Sequence, residues 1–509
     1  MRFGKFGALM PRKWFPSRGI FASPPARTAR SVVSTNQRNP LTKGVFRMTL
    51  AHDDLKTLVS TEKGEIDRRI FTDQDIFDQE MREIFGRAWL FLCHESQIPK
   101  AGDFVEAPMG RDNVLVVRQK DKTIRALLNT CSHRGNAVCR AEEGNTKNFM
   151  CTYHGWTFDL GGKLVGVPGL DTFYGDNLDK SKLGLRQVAQ LDSYKGFVFG
   201  TFDPDAPPLY DFLGATGRLG MDLIAERGED MEIVPGIQKF VIDCNWKFTV
   251  DNLFDWYHPI ISHMSAAQSG FLPELPEESF LSFLASGSAD GKTIDSGGSA
   301  NPDGGEFDFS FKLEYENPSS IVALGEYGHA IAGPPVIKRA EMLHQWRKRP
   351  GVAEALGPVG IRMAGHPNIF PTLWVTTFSQ ICLRVPRTPT STEIWWYTFT
   401  PKNATEEERN FTLLFANHIF GPAGLLEQED GENWVQSTVQ AGGDQSSQVP
   451  QALKMNLGKE KIIHEHGLAR IEGNVNEHAQ LWTYRAWVEW MSGQGWDSLR
   501  ENTIPGDSI

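Results

Sequence analysis

The chain has 509 residues, enough for two or more cores, with 40% hydrophobic residues, 14 Trp and 32 Phe to fill them. Its formal net charge of −11 argues against nucleic acid as a partner, and no run of 18 or more apolar residues offers a membrane-spanning helix. The six Cys are too few for a disulfide scaffold in a chain this long.

Residues 1–47 hold ten Lys or Arg and no Asp or Glu, so removing these ten positive charges from −11 leaves −21. A Ser- and Arg-rich lead without acids has the composition of a transit peptide. An upstream start, with Met48 as the true initiator, is the simpler reading, and the extension is set apart from the folded domains. Residues 53–87 then read as helical, with apolar Ile70, Ile76, Met81 and Ile84. From about Trp89 short β-prone runs follow (DNVLVVRQ, TIRALLN, FMCTYHGWTFDL, KLVGVPG, GFVFGTF), separated by Gly, Asp and Asn turns. They predict a small antiparallel β-domain ending near Asp203, where DPDAPPL reads as a linker.

Helices and strands mix from Asp211 onward. CNWKFTVDNLFDWYHPIISH reads as a helix interrupted at Pro259. Residues 284–307 are rich in Gly, Ser and Asp and read as a surface loop. NIFPTLWVTTF, QICLRVPR and EIWWYTFTPK read as strands, ATEEERNFTLLFANHIFG as a helix capped by Thr405, and HAQLWTYRAWVEWMSG as a C-terminal helix. The mixture predicts an α+β domain built on an antiparallel sheet.

The strongest chemical signal is Cys131-x-His133, then seventeen residues, then Cys151-x-x-His154. Each half offers one thiolate and one imidazole, each in a turn with Gly supplying the bend. Two irons joined by two sulfides fit this set, one iron on Cys131 and Cys151 and the other on His133 and His154. Two neutral imidazoles in place of thiolates raise the reduction potential. A Cys2His2 zinc site has the same donor types, but it usually groups a Cys pair and then a His pair. Thiolate ligands must stay reduced, which points to the cytoplasm.

A second set follows. His258 and His263 are candidates for a 2-His-1-carboxylate triad, which leaves open positions on Fe(II) for dioxygen and substrate. Five residues apart on an ideal helix, the rings would point roughly 140° apart. Pro259 disfavours α geometry at His258, so the helix is expected to break between the two His. Asp255, one turn before His258, can accept its ring N–H. The carboxylate ligand must come from elsewhere. In FGPAGLLEQEDGENWV the acids Glu427, Glu429, Asp430 and Glu432 are available, although such a run is usually a solvated helix face.

CSHRG with CTYHGW resembles the Rieske centre of the large (alpha) subunits of aromatic ring-hydroxylating dioxygenases, and the resemblance covers nearly all of residues 60–500. It implies one Rieske [2Fe-2S] cluster and one mononuclear Fe(II), with Asp430 as the carboxylate ligand, since FGPAG beginning at Phe420 matches the family's distal motif. It places Asn252 close to the iron and makes Asp255 a bridge to a cluster histidine, His154, of a neighbouring subunit. The implied fold is α+β: residues 48–87 a helical segment packing on the catalytic domain, 88–205 the all-β Rieske domain, and 206–509 the catalytic domain with a central antiparallel sheet covered by helices, of helix-grip type. The implied partners are a small aromatic substrate, O2, a ferredoxin and/or reductase, and a small beta subunit (alpha3beta3) or an alpha3 homotrimer. NADH would act only through a separate reductase, since no G-x-G-x-x-G fingerprint occurs here.

The implied reaction is cis-dihydroxylation of an aromatic ring. DGENWV and the C-terminal helix resemble the biphenyl, toluene and polycyclic-hydrocarbon group, whereas the spacing from Asn245-Trp246-Lys247 to Asp255 is one residue shorter, as in the salicylate, benzoate and terephthalate oxygenases. An aromatic hydrocarbon and an aromatic carboxylate therefore both fit. Monohydroxylation of an acid such as salicylate, and demethylation of a non-aromatic or N-methyl substrate, are the alternatives. A pure Rieske electron carrier is the competing class. Elemental analysis separates them: about three irons per chain for the oxygenase, against about two for the carrier.

Overall fold

The computed structural model describes residues 49–263, 319–336 and 344–508. The basic extension and the predicted loop at 284–307 lie outside the described residues.

The segment expected to be helical over 53–87 is helical only in part. Helices α1 (His52–Leu58) and α2 (Gln74–Glu83) are separated by a turn at Gly64. Gly64 has φ +61°, and a Cβ there would lie 2.1 Å from Leu453 O. That close approach lets Glu65–Ile66 pair with Val59–Ser60 on one side and Gln451–Ala452 on the other. A backbone ladder reaching nearly four hundred residues ahead thus overrides the local helical pattern. Asp73 restarts the helix, its side chain accepting from Asp75 N and Ile76 N.

Short strands then build the first β-region. They are β1 (Leu90–His94), β2 (Asp103–Met109), β3 (Asp112–Arg118), β4 (Ile124–Leu128), β5 (Glu143–Asn145), β6 (Asn148–Met150), β7 (Thr157–Asp159), β8 (Leu164–Gly166), β9 (Gln190–Tyr194) and β10 (Phe197–Thr201). They form three antiparallel sheets, ordered β4-β3-β2-β5, β8-β7-β6 and β9-β10-β1. A small separate core, including Phe104, Leu115, Phe149, Trp156 and Phe158, holds Cys131 and Cys151. The third sheet belongs to the large core instead. Its Phe91 packs edge-on to Tyr397 at 5.5 Å and Phe197 lies 5.3 Å from Phe399.

Helix α3 (Leu209–Ala225) leads into the second region. Its strands are β11 (Met231–Ile233), β12 (Gln238–Ile242), β13 (Ser319–Leu324), β14 (Ala330–Gly333), β15 (His366–Ile369), β16 (Leu373–Val375), β17 (Gln380–Thr388), β18 (Ser391–Pro401), β19 (Ile463–Glu465) and β20 (Leu468–Asn474). They form one antiparallel sheet in the order β11-β18-β17-β16-β15-β14-β13-β20-β19, with β12 also on β18. Its helices include α4 (Trp246–Asp251), α5 (Pro259–Ser262), α6 (Val352–Gly360), α7 (Glu406–Ile419), α8 (Leu425–Ala441) and α9 (His478–Met491). Thr405 caps α7 in a reciprocal box with Glu408, as the sequence suggests. The fold is α+β.

The motif helix departs from expectation. α4 ends at Asp251, a 3-10 turn covers Asn252–Phe254, and Asp255 is extended at φ −83°, ψ 97°. His258 is helical at φ −66°, ψ −31°, and Pro259 is the first residue of α5. The break therefore precedes both histidines instead of dividing them. Proline at the first helical position loses no hydrogen bond, and its ring favours the start of a turn. The two histidines cap the two ends of that turn.

A buried ion pair ties α2 to this region. Glu80 accepts from Lys247 Nζ at 2.5 Å, Trp487 Nε1 at 2.8 Å and Trp246 Nε1 at 2.9 Å. Burial pushes the Lys247 amine down and Glu80 opposes the shift. Removing one partner leaves an uncompensated buried charge. Glu80→Ala is expected to destabilise the protein by about 3–5 kcal/mol in chemical denaturation.

Candidate metal centres and active site

Residues 131–136 and 151–156 form two copies of one turn. Cys131 N–H donates to Asn136 O and Gly135 N–H to Cys131 O, each at 2.8 Å. Cys151 N–H donates to Trp156 O at 2.8 Å and Gly155 N–H to Cys151 O at 2.9 Å. Gly135 and Gly155 take φ of +72° and +71°, where glycine carries no Cβ penalty. Both cysteines are buried, while the His133 and His154 rings are half-buried with centroids 4.5 Å apart. His133 stacks on Trp156 at 4.6 Å, and its Nδ1 is buried without a hydrogen-bond partner. A tetrahedral zinc would draw its four donors to within roughly 3.5–4 Å of each other. No three of these four side chains have donor atoms within 4.8 Å of one another. Separate cysteine and histidine ends suit a dinuclear cluster.

Among the described residues, one group of three or more His, Cys, Asp or Glu has donor atoms within 4.8 Å: His258, His263 and Asp430. Both rings turn Nε2 toward Asp430 Oδ1, at 3.3 Å from His258 and 3.5 Å from His263. That oxygen is buried and makes no hydrogen bond, so it is free to meet a cation. Each far ring nitrogen faces another carboxylate. His258 Nδ1 lies 3.5 Å from Asp255 Oδ2, and His263 Nδ1–H donates to Glu429 Oε2 at 2.9 Å. Asn252 Nδ2 donates to Asp430 Oδ2 at 3.1 Å and leaves Oδ1 for the metal position. Asp255 itself is pinned by the backbone N–H groups of Tyr257 and His258 at 2.8 and 3.2 Å.

The electrostatics call for positive charge here. Burial opposes protonation of His258, yet the Asp430 and Asp255 carboxylates overcome it and raise its pKa to about 10. Two imidazoles and one carboxylate form the donor set of a non-haem Fe(II) centre. His366, which feels the charges of His258 and Asp430, lies 4.9 Å from the Trp256 ring and 5.1 Å from the Trp374 ring. Burial pushes the His366 ring down to about 3, so it stays neutral.

The structure thus brings together Asn252, Asp255, His258, His263 and Asp430, and separately Cys131, His133, Cys151 and His154. Glu427 and Glu429 do not join the donor group, and Glu429 instead orients His263. That role is missed by reading the acids only as metal ligands; a carboxylate behind each ligating imidazole is the general arrangement. The ring contact of His366 with Trp374 is also missed, since nothing in strand sequences marks it. Cys139 and Cys244 lie in neither site.

Residues 88–192 match the Rieske [2Fe-2S] domain, and residues 225–480 match the ring hydroxylating alpha subunit (catalytic domain). The chain is 36% identical to biphenyl 2,3-dioxygenase subunit alpha of Rhodococcus jostii (strain RHA1), over 88% of this chain and 94% of that one. It is 34% identical to a benzene 1,2-dioxygenase subunit alpha of Pseudomonas putida, over 88% and 95%. Its fold matches naphthalene 1,2-dioxygenase with indole bound in the active site, at a TM-score of 0.74 and 29% identity, covering 89% of this chain and 98% of that one. A quaternary ammonium Rieske monooxygenase in complex with L-carnitine matches at a TM-score of 0.57 and 15% identity, over 87% and 99%, a likeness of fold alone.

A Rieske domain joined to an antiparallel α+β domain with a two-histidine, one-carboxylate pocket defines the class of terminal oxygenases that pair a Rieske cluster with a mononuclear iron. The chain belongs to the ring-hydroxylating alpha-subunit family. It is an oxidoreductase of dioxygenase type, with electrons supplied by partner proteins. Glu429→Ala is expected to lower iron affinity roughly 10- to 100-fold, read by iron titration of the apoprotein. His258→Ala should lose the mononuclear iron while the visible spectrum of the cluster stays.

Proposed function

We propose that this chain is the terminal oxygenase that cis-dihydroxylates an aromatic ring, either a hydrocarbon or a carboxylate. The observation that carries this is the convergence of His258 Nε2, His263 Nε2 and Asp430 Oδ1 beside the aromatic run of Trp256, His366 and Trp374. Cys131, Cys151, His133 and His154 would hold the cluster, and His258, His263 and Asp430 the iron. When bound, these groups supply single electrons and the activation of dioxygen.

The chain's own side chains do the rest. Asp255 and Glu429 hold the two imidazoles in the orientation that offers Nε2, and Asn252 keeps Asp430 from rotating. The aromatic faces receive a flat ring and keep water from the reacting position. Asp255 is about one-third exposed, so its carboxylate can also be reached from outside the subunit. In an assembled oxygenase it would join His258 to the partner subunit's His154 in one hydrogen-bonded row.

We infer a ring of three such chains, with or without three small beta subunits, working with a ferredoxin and/or reductase in the cytoplasm, with NADH acting only through the reductase. Among the described residues, no helix is long and apolar enough to cross a membrane. Turnover under labelled dioxygen tests the reaction: a dihydrodiol carrying two labelled oxygens is expected, and a singly labelled phenol or a demethylated product would contradict it. Asp255→Ala should keep both metal centres filled and lose nearly all turnover; normal turnover would remove Asp255 from the electron path.

A further inference from the structure

Strand β17 carries Arg384, which is only 2% exposed. A buried guanidinium ordinarily sits against a carboxylate or a full set of carbonyls. Here Nε and Nη1 are buried without a hydrogen-bond partner, and no ion pair with a carboxylate forms within 4.0 Å among the described residues. Another buried arginine, Arg347, shows the contrast: its Nη1 and Nη2 donate to Gly360 O and Met363 O, each at 2.6 Å. The Arg384 guanidinium stacks on Trp374, with Cζ 4.6 Å from the ring centroid.

The strand register shows which way it faces. Cys382 pairs with Trp374 on one side and Trp396 on the other. Residues two apart share a face, so Arg384 lies on the face of those two rings. Phe420, stacked on Trp396 at 5.0 Å and 4.9 Å from Trp374, covers this face just ahead of α8, the helix that carries Asp430. Trp374 in turn touches His366, whose ring lies within electrostatic reach of Arg384, His258 and Asp430 alike. Trp374 thus contacts both the Arg384 guanidinium and the His366 ring, which feels the charges of His258 and Asp430. The carboxyl group nearest in charge is Glu427, one turn before Asp430. Burial pushes its carboxyl up and Arg384 opposes the shift, while Arg384 Nε and Nη1 make no hydrogen bond to it.

We propose that Arg384 is a substrate-recognising residue, and that the ring entering this site carries an anionic carboxylate that pairs with its free N–H groups. This rests on the ring-dihydroxylation reading and narrows it. A guanidinium presents a planar array of donors that suits a carboxylate, and pairing would remove the cost of its unmet hydrogen bonds. The biphenyl, benzene and naphthalene dioxygenases compared above are named for neutral hydrocarbons, so the inference sets this chain apart from them.

The test uses the holoenzyme with its electron donors, and two matched pairs of probes: benzoate against benzene, and 2-naphthoate against naphthalene. Calorimetric titration with the two acids is expected to show saturable binding to the wild-type protein. The acids are also expected to be oxidised with higher kcat/KM than their parent hydrocarbons. In Arg384→Gln the ratio of acid to hydrocarbon kcat/KM should fall roughly 10- to 100-fold, and Arg384→Lys should recover part of it. Hydrocarbon turnover without acid binding, or an unchanged ratio in Arg384→Gln, overturns the proposal. If the variant does not fold, the wild-type titration decides alone. Acid binding with no oxygenated product from any probe would support the anion site and count against the dihydroxylation reading, so the two fail separately.

Discussion

The structure is organised by one electrostatic requirement, that three donor atoms be held around a single point while each ligand is braced from behind. Asp430 Oδ1 lies within 3.5 Å of both imidazole Nε2 atoms. Such a group of buried polar atoms is costly without a cation, so the fold must hold it together by other means. The bracing comes from Asp255, Glu429 and Asn252, and each sits within six residues of a ligand. The ligating segments, in contrast, lie more than 160 residues apart.

Asn245 shows how that distance is closed. Its side chain accepts from Lys247 N to start α4 and donates to Phe71 O and Pro389 O. Its own N–H donates to Thr438 Oγ1 on α8 at 3.0 Å. One buried residue therefore joins the N-terminal segment, the strand-rich core, the helix that leads to the two histidines and the helix of Asp430. The Glu80–Lys247 pair adds a second tie two residues on, in a cage of Trp246 and Trp487.

The two centres sit in different cores for a physical reason. A cluster that must exchange electrons needs its histidines near the surface, and His133 and His154 are half-buried in the turns whose cysteines enter the small core. A site that handles a hydrophobic ring and activated oxygen needs dry walls, and the aromatic run from Trp256 to Trp374 provides them. Arg384 is the exception in that wall, an unpaired cation among indoles, and it carries the specificity assigned to this chain.

What could be read without a structure was what depends on short spacing. Cys131-x-His133 and Cys151-x-x-His154 each lie within one turn, so their chemistry is local, and the two matching glycine turns confirm that geometry. The pairing of Asp255 with His258 and the capped helix after Thr405 are local for the same reason. Sequence by itself therefore determined the class and singled out the candidate residues for the cluster and both candidate histidines. Tertiary structure decided where the motif helix breaks, because Pro259 can either end or begin a turn and only packing chooses. It also separated Glu429 from Asp430, two adjacent acids whose roles differ because a helix points them in different directions. And it placed Arg384 beside the site, since a strand residue far from every ligand in sequence reaches a pocket only through sheet register and long-range burial.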